Sequence, residues 1–191
     1  MRDNNVLRVI AGSARSLLLK TPVGLDTRPT TDRIKETLFN VLQSEVPGSV
    51  VIDFFAGSGS LGIESLSRGA KKAYFVDNSK EANKCITENV KHTHFEDKST
   101  VFAQDCIRAA MQIHEAHVDI IFMDPPYDKG LEAELLGVLK TMPYVDSDTL
   151  IVIEARLETS FDYLEDLGYF IVKEKKYKTN KHIFVRLKEE A

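Results

Sequence analysis

The chain has 191 residues, of which 43% are hydrophobic and 28% are charged. This length and composition fit one soluble globular domain with a sizeable core, so we predict a single domain over residues 1–191. The formal net charge of −4 argues against a protein that is coated in nucleic acid.

Positive charge is concentrated in two parts of the chain. Residues 1–35 hold seven Lys or Arg and three Asp, so this segment carries +4 and the remainder carries −8. Residues 173–181 hold five Lys and one Glu. This distribution favours contact with phosphates through one face of the molecule, although chance clustering on a solvated surface remains an alternative.

No membrane or metal partner is expected from the sequence. The first residues, M-R-D-N-N-V-L-R, lack the apolar run of a signal peptide, and the chain has no apolar stretch of the roughly 18 residues that a membrane span needs. A cytoplasmic location follows. Cys85 and Cys106 lack the spacing of metal ligands and are expected to be buried, reduced thiols.

The N-terminal part, residues 1–27, is predicted to be a basic hairpin extension. Residues 7–11 and 17–20 are short apolar runs joined by G-S-A-R-S, which predicts a β-hairpin or two extended pieces. Arg15 and Lys20 would give this segment a charge that suits contact with nucleic-acid phosphates. A plain hairpin that closes the core fits the pattern equally well.

A helix is predicted within residues 27–45. Pro29 begins it, and Thr30 or Thr31 can cap it. One face is apolar and would pack on the core; it is formed by Ile34, Leu38, Val41 and Leu42. The opposite, polar face is expected to be exposed and holds Arg28, Arg33, Lys35 and Glu36.

Residues 50–62, V-V-I-D-F-F-A-G-S-G-S-L-G, form the first strong motif. A continuous apolar run that ends in glycines predicts a buried parallel strand, a tight turn and a helix that starts near Ser60. Gly57, Gly59 and Gly62 have G-x-G-x-x-G spacing, which lets the backbone approach a ligand closely.

Asp53, four residues before Gly57, indicates which ligand this turn takes. A carboxylate at this place would repel the pyrophosphate of a dinucleotide. It would attract S-adenosylmethionine (SAM), which carries a sulfonium and an ammonium group. The motif therefore favours SAM, with nucleotide binding and an ordinary strand-to-helix turn as alternatives.

Two further strands are predicted to end in carboxylates. Residues 73–76 lead into Asp77, which is suited to accept hydrogen bonds from the two ribose hydroxyls or, alternatively, to cap the next helix. Residues 100–103 lead into Asp105 and Cys106. The Asp105 carboxylate could accept from an adenine amino group, and the Cys106 amide could donate to the ring.

The second strong motif is D-P-P-Y, residues 124–127, directly after the predicted strand 118–123. Pro125 and Pro126 exclude a strand or helix interior and hold the backbone in a rigid turn. The Asp124 carboxylate and the Pro125 carbonyl can then act as paired acceptors for a planar amino group. Tyr127 offers an aromatic face on which a base can stack. A proline-stiffened loop without a ligand is the alternative.

The remaining elements complete an α/β pattern. Helices are predicted at 79–92, 107–116, 131–142 and 161–167, a strand at 149–153 that ends in Glu154, and a terminal antiparallel pair at 169–173 and 183–187. Strands that alternate with helices and end in a hairpin predict a doubly wound sheet with an antiparallel edge.

These motifs together resemble a known family. D-F-F-A-G-S-G, V-D-N, Q-D-C and D-P-P-Y, in this order, are similar to class I amino-methyltransferases. The segment R-P-T-T-D-R-I-K-E-T-L-F-N, residues 28–40, resembles the signature of RsmD-type enzymes. The resemblance covers nearly the whole chain. It implies a Rossmann-like, seven-stranded mixed sheet with an antiparallel C-terminal edge strand, helices on both faces and an N-terminal β-hairpin extension.

The resemblance also implies an activity and a set of site residues. Such enzymes transfer a methyl group from SAM to the exocyclic N2 amine of a guanine in 16S rRNA of the small ribosomal subunit or its assembly intermediate, and we expect a monomer. Cofactor contacts are expected from Arg28, Thr31, Asp53, Phe55, Ala56, Gly57, Ser58, Gly59, Asp77, Asn78, Asp105 and Cys106. The catalytic group would be Asp124, Pro125, Pro126 and Tyr127.

Three other functions remain open on the sequence alone. D-P-P-Y is shared by amino-methyltransferases of several bases and of glutamine, so an N6-adenine methyltransferase is the nearest alternative. From a different class, an NAD-dependent oxidoreductase could use the same glycine turn, although Asp53 and D-P-P-Y count against it. A non-catalytic RNA-binding protein with a retained SAM fold is less consistent with an intact D-P-P-Y.

Overall fold

The computed structural model describes residues 7–22, 32–126 and 130–189. The predicted site residues Arg28, Thr31 and Tyr127 lie outside these ranges. The strands are β1 (Val50–Phe54), β2 (Lys72–Asp77), β3 (Ser99–Ala103), β4 (Ile120–Met123), β5 (Leu150–Arg156), β6 (Tyr169–Lys176) and β7 (Asn180–Leu187). The helices are α1 (Asp32–Val41), α2 (Ser60–Ser67), α3 (Lys80–His92), α4 (Cys106–Gln112) and α5 (Leu131–Leu139), with short 3₁₀ turns at Glu96–Lys98 and Asp162–Leu164.

All seven strands form one sheet in the order β3-β2-β1-β4-β5-β7-β6. Strands β1 to β5 run parallel because each is joined to the next by a crossover that packs on a face of the sheet. β7 is antiparallel to both of its neighbours, β5 and β6. The predicted mixed seven-stranded fold is confirmed. The antiparallel strand is, however, inserted beside β5, and β6 forms the edge.

Successive side chains of each strand point to opposite faces of the sheet, so each face carries its own hydrophobic core. The first core takes Ile52 and Phe54 of β1 and packs under α4 and α5. The second core takes Val51 of β1 and packs under α1, α2, α3 and the N-terminal segment. No helix in the described ranges combines the length and apolar character needed to cross a membrane.

Within the predicted extension, residues 7–22 form a hairpin with one antiparallel β-bridge, between Arg8 and Leu18. Val9 donates to the Leu17 carbonyl at 3.0 Å, and Leu19 donates to the Leu7 carbonyl at 2.8 Å. The turn between them touches α2 so closely that a Cβ on Gly12 would lie 1.8 Å from the Ser67 carbonyl oxygen. Leu7, Val9 and Leu19 are buried. The hairpin therefore covers one side of the second core.

Some predicted elements differ in detail from the structure. The helix predicted at 161–167 is a single 3₁₀ turn, Asp162–Leu164, which buries Leu164. The helix predicted at 107–116 ends at Gln112, where Ile113 turns to extended backbone and enters the first core.

Lys35 was expected on an exposed face of α1, and this prediction is wrong. Its side chain is fully buried and lies 3.2 Å from Glu64 of α2, which is also fully buried. The hairpin covers this face of α1, and Lys35 also donates to the Arg8 carbonyl there. A lysine in a helical polar stripe gives no sign of such a partner in the sequence.

Candidate active site

Five acidic residues lie along the carboxyl ends of the parallel strands. In the order of the sheet they are Asp105 after β3, Asp77 at the end of β2, Asp53 in β1, Asp124 after β4 and Glu154 in β5. The chain leaves β1 toward β2 on one side, whereas β4 lies on its other side. Such a topological switch point opens the crevice in which open α/β sheets bind ligands.

The glycine turn after β1 forms one wall of this crevice. Gly57 and Gly59 have φ angles of 55° and 76°, which favour glycine. A Cβ on Gly62 would lie 2.3 Å from the Phe75 ring, so only glycine lets α2 pack this close to the sheet. A Cβ on Gly57 would meet no protein atom nearer than 4.0 Å, so the space above this residue is open.

Phe55, directly before the turn, has a φ of 61°. A left-handed conformation of this kind costs a residue with a side chain about 1–2 kcal/mol. Ala56 then donates to the Val76 carbonyl at 3.0 Å, which ties the turn to β2. The strain lies where the backbone turns toward the crevice, as is common beside ligands.

Side-chain hydrogen bonds hold the turn in place. Asp77 Oδ2 accepts from the Gly57 amide and Oδ1 from the Ser79 amide, both at 2.9 Å. Ser79 is itself the N-cap of α3, so Asp77 orders the turn rather than capping the helix. Asn89 of α3 donates to the Ser58 carbonyl at 2.9 Å. A carboxylate has about four acceptor sites, so Asp77 has capacity left for a diol.

Asp53 is buried, with 3% of its surface exposed, and accepts from the Gly62 amide at 3.0 Å. Burial raises the pKa of Asp53 to about 8, and the nearby negative charge of Asp77 adds to the increase. At neutral pH this carboxyl is therefore mostly protonated when no cation lies beside it. A positively charged ligand would reverse that preference.

Asp124 directly follows β4 and is exposed. Desolvation by the surrounding protein and the charges of Glu154 and Asp53 raise its pKa well above the usual value. Asp53 of β1 pairs in register with Phe122 of β4, so Asp124 follows two residues further along the neighbouring strand. Pro125 is buried and Pro126 exposed.

The adenine-side residues lie beside the outer strand β3. Asp105 is exposed and caps α4 by accepting from the Arg108 amide at 2.9 Å. Cys106 is the first residue of α4 and is buried, which raises the pKa of its thiol. Asn78 is exposed in the bend after β2. The predicted contacts thus follow one edge of the sheet in the order expected for an elongated ligand.

Sequence reasoning missed a group at the other end of the crevice. Glu154 accepts from the Asn180 side-chain amide at 2.6 Å and lies 3.3 Å from His182 Nε2. Tyr177 OH lies 3.1 Å from His182 Nδ1. A strand that ends in Glu is a weak sign of a functional residue. The local sequence pattern gives no sign that β5 pairs with β7.

The basic residues fall into two kinds. Arg8 and Lys20 of the hairpin are paired with acids of the body, at 2.6 Å from Asp32 and 2.7 Å from Glu88. The β6–β7 turn instead reaches the carboxyl edge of the sheet, where Lys175 pairs in register with His182. Within the described ranges, Lys173 and Lys175 of β6 and Lys178 of the turn are exposed and have no ion pair.

A family model described as "Conserved hypothetical protein 95" matches residues 7–186. Ribosomal RNA small subunit methyltransferase D of Escherichia coli K12 is 33% identical over 152 residues, 80% of this chain and 76% of the relative. YlbH of Bacillus subtilis, provisionally named an rRNA methyltransferase, is 38% identical over 150 residues, 78% of this chain and 82% of the relative.

The chain belongs to the family of ribosomal RNA small subunit methyltransferase D. A solved structure, yhhF of Escherichia coli, provisionally described as a methyltransferase, superposes with a TM-score of 0.81 at 28% identity and covers 97% of this chain and 99% of that one. The predicted family and fold are therefore confirmed.

The expected cofactor agrees with the family and the fold. A more distant neighbour, the magnesium protoporphyrin IX methyltransferase of Synechocystis, has a TM-score of 0.63 at 16% identity and covers 82% of this chain and 79% of that one. It was solved with bound SAM. In this chain the acidic edge and the open glycine turn fit a cationic, elongated ligand of that kind.

Proposed function

We propose that this protein transfers a methyl group from SAM to the N2 amine of a guanine in 16S rRNA of the small ribosomal subunit. The observation that carries the proposal is the pairing of β1 with β4: Asp53, before the glycine turn, is in register with Phe122, two residues before Asp124 of D-P-P-Y. A methyl donor on the turn and an amine on Asp124 would then be neighbours. The relatives' names supply the rRNA and the small subunit.

The cofactor contacts are proposed residue by residue. Asp53 and the turn Phe55, Ala56, Gly57, Ser58 and Gly59 would hold the methionine part, Asp77 and Asn78 the ribose, and Asp105 and Cys106 the adenine. Bound SAM supplies an electrophilic methyl group on a sulfonium. Asp53, whose pKa is about 8 without a ligand, would ionise beside that positive charge.

The chain's own contribution to the reaction is positioning and charge. The amine of guanine is a weak nucleophile because its lone pair is delocalised into the ring. Hydrogen bonds to the Asp124 carboxylate and the Pro125 carbonyl would orient the amine and stabilise the positive charge that develops on it. The raised pKa of Asp124 makes its carboxylate a stronger base, which suits it to accept the released proton afterwards.

The RNA would approach over the carboxyl edge of the sheet. The lysines of the β6–β7 turn lie at this edge, on the Glu154 side of the crevice. Asp32 and Glu88 largely balance the charges of Arg8 and Lys20 in the hairpin. Arg15 is therefore the hairpin cation best suited to bind a phosphate. The methyltransferase names of the relatives favour this function over hydride transfer with NAD.

One experiment tests the proposal. The protein is incubated with methyl-labelled SAM and small subunits from a strain that lacks its gene, and the modified nucleotide is mapped by nuclease digestion and mass spectrometry. We expect one N2-methylguanine in 16S rRNA. Label in an adenine, or in protein alone, would contradict the proposal. Subunits that already carry the modification are the control and should take up no label.

A further inference from the structure

A hydrogen-bonded network fixes the side chain of Glu154 at the end of the crevice. Asn180 and His182 of β7 hold its two carboxylate oxygens, at 2.6 Å and 3.3 Å. His182 is 2% exposed and the Glu154 side chain 13%. Burial and the charge of Glu154 raise the pKa of Tyr177 to about 12, so its hydroxyl stays protonated and can donate to His182 Nδ1 at 3.1 Å. Because Nδ1 accepts this hydrogen bond, the ring proton of the neutral His182 is on Nε2, which donates to Glu154.

Glu154 and Asp124 lie side by side on one face of the sheet. Met123 of β4 pairs in register with Ile153 of β5, so the next residue of each strand, Asp124 and Glu154, is at the same level. Phe122 and Val152, two residues earlier, both point into the second core. The alternation directs Asp124 and Glu154 to that same face, and parallel strands are separated by only about 4.8 Å.

The atoms that flank a nucleobase amine differ between bases. In guanine the N2 amine lies between N3 and N1–H, and the N1–H on the Watson–Crick edge is a hydrogen-bond donor. In adenine and cytosine the amine lies next to an unprotonated ring nitrogen, which is an acceptor. A carboxylate beside the amine would therefore accept a hydrogen bond from guanine and face a repulsive lone pair in the other bases.

We infer that Glu154 is the residue that selects guanine, by accepting the N1–H hydrogen while Asp124 and the Pro125 carbonyl hold the adjacent amine. The inference rests on the proposed function. Asn180 and His182 act as positioning residues, because they fix the direction of the Glu154 carboxylate.

The test replaces the mapped guanine by 2-aminopurine in reconstituted subunits. This base keeps the reacting amine but has an acceptor at N1. We expect wild-type protein to prefer guanine in kcat/KM by ~10–100-fold, as for a hydrogen bond to a charged group. Glu154→Gln should reduce the ratio by at least ~10-fold, because an amide can donate to the N1 acceptor. The absence of O6 from 2-aminopurine affects the wild-type protein and the variant alike, so it cancels when their ratios are compared.

A second variant and a control keep the test decisive. Asn180→Ala removes one donor but retains the carboxylate, and should lower the ratio by about 3-fold or more while SAM affinity stays at the wild-type value. Glu165→Gln makes the same acid-to-amide change on a side chain that is 83% exposed at the opposite edge, and should leave the ratio unchanged.

The outcomes separate the two proposals. If wild-type protein forms no N2-methylguanine in subunits, both proposals fail. If it does, but Glu154→Gln retains the wild-type ratio with unchanged SAM affinity, only the role of Glu154 is overturned. If Glu154→Gln methylates neither base, the guanine to 2-aminopurine ratio of Asn180→Ala decides: a wild-type ratio overturns the role of Glu154, and a lowered ratio supports it.

Discussion

Asp124 is the residue on which methyl transfer should depend most. Replacement by alanine removes the acceptor for the amine and the charge that stabilises it, so we expect kcat to fall by at least about 100-fold. Affinity for SAM should stay nearly constant, because the donor is held by other strands. Labelled-methyl transfer and calorimetric titration with SAM measure the two quantities.

A matched control for this variant is Asp148→Ala. Asp148 is 86% exposed and lies just before β5, away from the crevice edge. It should retain wild-type turnover. Turnover by Asp124→Ala at the level of this control would refute the role of Asp124.

The pH dependence of SAM binding should report Asp53. Its pKa is about 8 in the ligand-free protein, and a cation nearby favours the ionised form, so binding at neutral pH must release a proton. Affinity should therefore rise with pH below about 8, by up to about tenfold per unit, and level off above it. Calorimetry in buffers of different ionisation enthalpy measures the proton count.

Asp53→Asn is the control for this titration. It keeps an oxygen that can accept from the Gly62 amide but has no proton to release. Its weaker binding should be independent of pH between 6 and 9, to within about twofold. A wild-type affinity that does not change over this range would place the cation elsewhere.

At the scale of elements, a buried ion pair joins the hairpin, α1 and α2. Glu64 accepts from the amides of Ile10 and Ala11 at 2.8 Å and 3.0 Å, and lies 3.2 Å from Lys35 and 2.8 Å from Arg68. Burial lowers the pKa of Lys35, although Glu64 opposes this effect. One carboxylate therefore accepts hydrogen bonds from the hairpin backbone and also balances the positive charge of Lys35 in α1.

Glu64→Gln should destabilise the fold by about 3–5 kcal/mol, since it leaves the Lys35 charge buried without a counter-charge. Urea denaturation measures the change. Glu88→Gln is the control, because Glu88 pairs with Lys20 at the surface, and it should change the midpoint little. Equal effects of the two variants would mean that Lys35 is neutral in the folded protein.

The C-terminal half of β6 and the β6–β7 turn are the elements expected to contact RNA. Changing Lys173, Lys175 and Lys178 to alanine should weaken subunit binding and reduce the slope of log affinity against log salt by about 2–3, at roughly 0.7–0.9 for each phosphate contact. Binding titrations at several salt concentrations give the slope.

The control for this variant carries the same loss of charge at the opposite edge of the sheet. Lys71, Lys91 and Lys98 are exposed there, before β2, at the end of α3 and before β3. Their replacement by alanine should leave the slope close to the wild-type value. Equal slopes for the two triple variants would mean that RNA does not approach over the β6–β7 turn.

At the scale of the whole molecule, parallel pairing turns scattered carboxylates into one site. Asp53, Asp77 and Asp124 are up to 71 residues apart in the sequence, yet each ends a strand at the same edge. Because such an edge concentrates negative charge, the free protein must keep some of these groups protonated, as the raised pKa values of Asp53 and Asp124 indicate. A cationic ligand relieves the repulsion, which links cofactor binding to the architecture.

The sequence by itself determined the acidic strand ends, the glycine turn and D-P-P-Y, because strand period, turn chemistry and proline geometry are local properties that neighbouring residues set. The tertiary structure decided what depends on distant partners. It buried Lys35 against Glu64, set β7 beside β5 so that His182 holds Glu154 from 28 residues away, and brought the lysine turn to the crevice edge. Local periodicity carries no information about which strands pair, so these contacts emerge only when the sheet closes.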